Sequence, residues 1–259
     1  MFVPPLKISF LGTGTSGGVP MIACQCTVCQ STNEKDKRFR SSVLVESDTT
    51  SFVIDTTPDF RSQMLRAKVR KLDAVLYTHP HKDHIAGLDD VKAFNYFQQQ
   101  PMRVYANLLT QNALKQEFSY IFDDHKYPGV PEVELHGLDM KAFMIGDIPI
   151  TPIQVWHLKM PVLGFRIGSF TYITDANRID ESEKEKIKGT SILILNALRK
   201  EKHLSHFTLQ EAIDLAQELK PSQTYFTHIS HQLGLHEEIS KELPRNIALA
   251  YDGQEIILS

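Results

Sequence analysis

The chain has 259 residues, 42% of them hydrophobic and 23% charged, a balance that belongs to folded, soluble proteins and excludes fibrous or disordered classes. A net charge of −3 with histidine neutral argues against a protein that coats nucleic acid by neutralising phosphates. No apolar run reaches the roughly 18 residues of a membrane span, and "MFVPPLKISFLGTGTSGG" has no basic segment ahead of an apolar one, so a cytoplasmic protein is expected.

Short apolar, β-branched runs recur in chain order: "LKISFL" (6–11), "SVLVES" (42–47), "SFVIDT" (51–56), "LDAVLYT" (72–78), "MRVYAN" (102–107), "IPITPIQVW" (148–156), "FTYIT" (170–174), "SILILN" (191–196), "SQTYFT" (222–227) and "NIALAY" (246–251). Their lengths suit strands, and several lack alternation, as strands covered on both faces do. Between them, 59–71, 85–98, 110–122 and 208–220 carry apolar residues at helical spacing. The pattern predicts a layered α/β fold. One domain over 1–259 is expected, because no repeat, low-complexity tract or linker divides the chain. Residues 118–140 are the least regular and are expected to leave the core as a lid or dimer contact.

The chemistry-bearing residues collect at strand ends. His79 follows "LDAVLYT", His157 ends "TPIQVW", Asp175 follows "FTYIT" and His228 follows "SQTYFT", and the C-terminal rim of an α/β sheet is where sites are built. Asp55 and Asp252 share that address and are expected to support the site through hydrogen bonds. In "THPHKDH", His79, His81 and Asp83 alternate with Pro80 and Lys82, which throws them to one side, with His84 able to face a second point. Imidazole and carboxylate together suit zinc, manganese or iron, and two ions a few ångströms apart would use all these donors. A lone histidine would be read as a surface or core imidazole; this spacing directly after a strand favours metal.

All three cysteines, Cys24, Cys26 and Cys29, lie in "CQCTVC". A redox pair or small core residues are the bland alternatives. Three thiolates and one imidazole make a closed tetrahedral zinc site, and His231 of "THISH" can supply the imidazole. It lies three residues from His228, at most about 10 Å of chain, so the structural zinc would sit beside the rim and pin the N-terminal loop there. "GTGTSGGVP" (12–20) lacks the Lys-Ser/Thr ending of a phosphate loop and is read as a tight turn bringing backbone to the site. In "HLSHFTLQEA", Thr208 and Glu211 form a capping box for the 208–220 helix. Just before it, His203 and His206 are either solvated loop residues or, for His206, a general acid.

Together these residues resemble the metallo-β-lactamase superfamily, whose H-x-H-x-D-H signature stands here as His79, His81, Asp83 and His84. The resemblance implies a four-layer αβ/βα sandwich with a binuclear site at the strand ends, and it extends to His157, Asp175 and His228. Within the superfamily, the C-x-C-x-x-C loop and "THISH" are similar to PhnP-type phosphodiesterases, which implies a structural zinc on Cys24, Cys26, Cys29 and His231. His206 stands 22 residues before His228, as an active-site histidine does in that family, and this favours His206 over His203.

The implied mechanism places one zinc or manganese on His79, His81 and His157, a second on Asp83, His84 and His228, and Asp175 as the bridge. A hydroxide shared by the two ions would attack phosphorus, and His206 would protonate the departing oxygen. Asp83 and His206 are thus the catalytic candidates. The substrate implied is a small phosphodiester, cyclic ribose or nucleotide phosphates among them, with no membrane or nucleic-acid partner expected and a homodimer suggested. Two related readings compete: a coenzyme PQQ biosynthesis protein, which carries a similar cysteine loop, and ribonuclease Z, whose basic tRNA-clamping arm has no counterpart in this sequence. Secreted β-lactamases are disfavoured by the lack of a signal segment.

Overall fold

Short strands with apolar residues on both faces must be covered twice, and this requirement generates the layers. The computed structural model describes residues 3–125 and 127–258. In chain order the first half contains β1 (Leu6–Gly12), β2 (Ser42–Glu46), β3 (Ser51–Ile54), α1 (Phe60–Arg66), β4 (Ala74–Leu76), α2 (Lys82–Ile85), α3 (Lys92–Gln98), β5 (Met102–Ala106), α4 (Leu108–Glu117) and β6 (Val133–Gly137). The second half contains β7 (Phe143–Ile145), β8 (Ile148–His157), β9 (Met160–Ile167), β10 (Phe170–Ile173), β11 (Arg178–Ile179), α5 (Glu181–Ile187), β12 (Ile192–Asn196), α6 (Leu209–Leu219), β13 (Gln223–Thr227), α7 (His236–Glu242), β14 (Ile247–Leu249) and β15 (Glu255–Leu258).

One sheet runs β15-β1-β2-β3-β4-β5-β6 and the other β11-β8-β9-β10-β12-β13-β14, with β7 paired to β8. Each changes from antiparallel to parallel partway across. The change falls at β3–β4 in the first sheet and at β10–β12 in the second. Val43 and Val45 of β2 enter the apolar layer between the sheets, with Phe10, Phe52, Phe165 and Tyr172. Leu44, between them in sequence, faces the opposite way, toward Phe60, Met64 and Phe94 of the first helical layer. On the far side, Leu193 and Leu195 of β12 meet Ala212, Leu215 and Ala216 of α6. The αβ/βα order expected from the sequence is therefore present.

Several boundaries differ from expectation. Helical spacing over 85–98 is broken into α2, a 3-10 turn at Leu88–Val91 and α3, because the chain closes around the histidine turn. The stretch 118–140 is not wholly an excursion, since Val133–Gly137 pairs in parallel with β5 as an edge strand. Strand β9 was not expected, although it pairs with β8 along most of its length. The helix at 208–220 appears as Leu209–Leu219 with the Thr208–Glu211 capping box complete. Among the described residues, no helix is long and apolar enough to cross a membrane.

The exit from β1 is sterically tight. A Cβ at Gly12 would lie 1.9 Å from the Arg40 carbonyl oxygen and 2.7 Å from Gln63 Nε2, where Gln63 already donates to that carbonyl. Gly12→Ala should destabilise the fold by at least about 2 kcal/mol through overpacking; chemical denaturation checks this, and an unchanged midpoint would show that the crossing can yield.

Candidate metal centre

Four strands of the two sheets deliver their ends to one place. His79 follows β4 and Thr78, His157 is the last residue of β8, and Asp175 and His228 follow β10 and β13. His81 caps the short helix α2, which carries Asp83 and His84. Three residues here, Asp55 after β3, Asp175 and His228, have φ of 65°, 54° and 56°. The left-handed conformation is uncommon outside glycine and turns each side chain sharply off its strand.

Asp175 is 2% exposed, and its two oxygens face different neighbours. Oδ1 lies 3.0 Å from His206 Nε2 and 4.0 Å from His79 Nε2, while Oδ2 lies 3.2 Å from both His84 Nε2 and His228 Nδ1. Asp83 Oδ2 is 3.2 Å from the same His84 nitrogen. On the other side, His79 Nε2 and His81 Nδ1 are 3.1 Å apart, and the His81 and His157 rings meet edge to face at 5.0 Å. Ligand atoms of Asp83, His84, Asp175 and His228 lie within 4.8 Å of one another, as do those of His157, Asp175 and His206. The sequence-derived residues therefore converge, and His206 joins them as a possible donor as well as a candidate acid.

Whether a cation fits is decided by charge balance and orphaned atoms. His84 Nδ1 lies 2.7 Å from Asp55 Oδ2, which aims Nε2 into the cluster, where it is buried with no hydrogen-bond partner. Burial disfavours a charged His84, yet Asp175, Asp83 and Asp55 hold its pKa well above the usual value. Burial pushes His79 well below its usual value and His228 down to about 4, so both present lone pairs at neutral pH. Burial opposes the Asp175 carboxylate, but His228 and His84 outweigh it and hold the group well below the ordinary range. Three carboxylates, Asp55, Asp83 and Asp175, face His84, the imidazole they hold protonated, so negative charge exceeds positive there and the donor set suits a divalent ion.

Threonines support this arrangement. The Thr78 hydroxyl donates to Asp55 Oδ2 at 2.8 Å and lies 2.9 Å from His79 Nδ1, and Thr174 donates to Asp175 Oδ2 at 2.6 Å. Thr15, in the turn read as a backbone approach, puts its hydroxyl 3.2 Å from His228 Nε2. Sequence reasoning missed these groups, although "YTH" and "ITD" place a threonine directly before His79 and Asp175. Asp55 supports the site as expected. Asp252 does not touch it; the carboxylate instead receives hydrogen bonds from Thr13 Oγ1, the Phe39 amide and Arg66, bracing the base of the N-terminal loop.

Ligand atoms of Cys24, Cys26, Cys29 and His231 also lie within 4.8 Å of one another. His231 Nδ1 is 3.4 Å from Cys24 Sγ and 3.3 Å from Cys26 Sγ. The imidazole draws the Cys26 thiol down to about 6, favouring the thiolate that binds metal. No disulfide joins these residues.

Paired sheets with a rim of imidazoles and carboxylates define the metallo-β-lactamase fold. The Beta-lactamase superfamily domain matches residues 50–229, and the chain belongs to that superfamily. A crystal structure of a diphosphatase from the PhnP family is 41% identical, with a TM-score of 0.93 over 99% of this chain and 98% of that one. An octanoyltransferase of Porphyromonas gingivalis is 37% identical over 98% of this chain, which spans only 52% of that protein's length. Coenzyme PQQ synthesis protein B of Methylorubrum extorquens is 30% identical over 74% of this chain and 72% of its own length. The chain is thus a hydrolase-fold protein related to the PhnP family.

Asp55→Asn should weaken metal binding about 10- to 100-fold, as loss of a carboxylate behind a ligating histidine does; competition against a chromophoric chelator measures it, and an unchanged affinity would remove His84 from the ligand set. Cys26→Ser should release about one metal per chain and lower the melting temperature by several degrees. Metal analysis beside a thermal melt tests this second expectation, which an unaltered melt with full metal would overturn.

Proposed function

We propose that the protein is a binuclear metal-dependent hydrolase of phosphoric diesters. The observation that carries this reading is the division of Asp175, with Oδ1 toward His206 and His79 and Oδ2 toward His84 and His228. In this reading His79, His81 and His157 would hold one divalent ion and Asp83, His84 and His228 the other, with Asp175 available to both. Zinc or manganese held there would supply Lewis acidity and a lowered water pKa at the strand ends.

The chain's own residues do the rest. Asp55, Thr78 and Thr174 fix the orientation of the donors, so little reorganisation is needed as charge develops on the phosphoryl oxygens. In this reading His206, stacked on His228 and edge-on to His157, gives a proton to the departing oxygen. The likeness to a PhnP-family diphosphatase supports a phosphoryl substrate, and small cyclic phosphodiesters remain the class proposed. Acyl transfer, which the Porphyromonas gingivalis relative's name denotes, belongs to a protein of which this chain spans 52%, and it is not the activity proposed.

A second reading rests on the 30% identity to coenzyme PQQ synthesis protein B, and would make the site serve a step of cofactor synthesis. Protein of known metal content, given bis(p-nitrophenyl) phosphate, its monoester and a β-lactam, should hydrolyse the diester, and Asp83→Ala should abolish turnover. His206→Ala should slow diesters with poor leaving groups more than those releasing nitrophenolate. Equal losses would remove the acid role, and no diester turnover, with iron bound and oxygen consumed, would transfer the weight to the second reading.

A further inference from the structure

One groove of about 600 Å³ adjoins the candidate centre. It reaches that centre at two points: Thr15 lies beside His228, and His203 Nδ1 lies 3.0 Å from His206 Nδ1. One wall is the loop 15–24, which holds out Met21 at 48% and Ile22 at 90% exposure. The other includes Leu198, Arg199 and Gln232.

The loop that presents Met21 and Ile22 is tied at both ends. The Thr15 amide donates to the Ile229 carbonyl, the Gly18 amide to Thr15, and the Cys24 amide to Met21, and the cysteine cluster closes the far end on His231. Two apolar side chains are therefore held into solvent beside the candidate centre by fixed backbone, where covering them would be favourable.

The charge of the groove restricts that occupant. Of the Asp, Glu, Lys and Arg side chains among the described residues, Arg199 alone lines it. Its guanidinium already donates to Gln232 Oε1 at 2.6 Å and to the carbonyls of Lys202 and Glu201. A second phosphate would find no cluster of free cations there. A flat neutral group would place its face on Met21 and Ile22, with Gln232 and Ser16 available at its edges. Methionine sulfur packs favourably against such rings.

We infer that this groove binds the group carried on the leaving oxygen, that this group is a neutral aromatic or heteroaromatic ring, and that Met21 and Ile22 set this specificity. The inference rests on the phosphodiester reading, with His206 facing the leaving oxygen. The shared chemistry is an uncharged ring, which an aryl group and a nucleobase both supply.

The test uses zinc-loaded full-length protein with labelled methionine and isoleucine methyl groups. Titration with 4-chlorophenol or thymidine should shift the methyl resonances of Met21 and Ile22, and whichever binds at lower concentration distinguishes aryl from nucleobase; pyrophosphate should leave them in place. Methyl diesters of 4-chlorophenol and of hexafluoroisopropanol, leaving alcohols of similar acidity, are then compared. The aryl ester should be preferred in kcat/KM by about tenfold or more, and Met21→Ser with Ile22→Ser should shrink that ratio, whereas Phe97→Ser, in a separate groove, should not. Methyl shifts without turnover of either diester would support the groove and overturn the phosphodiester reading. Shifts by pyrophosphate alone, no shifts, or a ratio unaltered in the double variant would overturn the groove assignment.

Discussion

A carboxylate that is 2% exposed and shared among imidazoles from several strands sets the terms for the whole molecule. Among the described residues, Asp175 pairs with no Lys or Arg; its titratable neighbours are His79, His84, His206 and His228. Burying such a charge unpaired would cost several kcal/mol, so strands distant in sequence must place their imidazoles within ångströms of it. Left-handed backbone at Asp55, Asp175 and His228 is the local strain accepted to turn these side chains inward.

The sandwich makes that convergence possible. Apolar side chains fill the layer between the sheets, so the polar donors are confined to the rim where β4, β8, β10 and β13 end. Each sheet has a parallel half in which successive strands point the same way, so their C-terminal ends lie side by side. The N-terminal loop is drawn to this rim from the far end of the sequence. Thr15 bonds to the segment after β13, and the cysteines surround His231 only three residues past His228. The catalytic candidate site, the cysteine cluster and the adjoining groove are therefore one mechanical unit.

Much of this was legible from residue order. The ten apolar runs correspond to strands, and the capping box at Thr208 and Glu211 forms as written, because both depend on interactions a few residues apart. What escaped was set by partners. Strand β9 contains Pro161 and Gly164 and reads poorly as a strand, yet a long antiparallel pairing with β8 defines it. The single helix expected over 85–98 breaks because His84 must face the cluster and Gly87 must pass the Thr57 carbonyl, which a Cβ would meet at 2.3 Å. Asp252 shares the strand-end position of the site residues but turns to the loop base, where Thr13, Phe39 and Arg66 offer it donors.

The sequence by itself determined which donors exist and where they lie on the elements: imidazoles and carboxylates at strand ends, thiols in one short loop, a histidine ahead of a capped helix. These follow from periodicity and spacing, which act over a few residues. Only the tertiary structure decided which oxygen of Asp175 faces which histidine, that His206 reaches Asp175, and that Met21 and Ile22 border the reacting end. Those relations join residues from tens to more than two hundred positions apart, and their distances are set by how two twisted sheets pack, a property of the whole core.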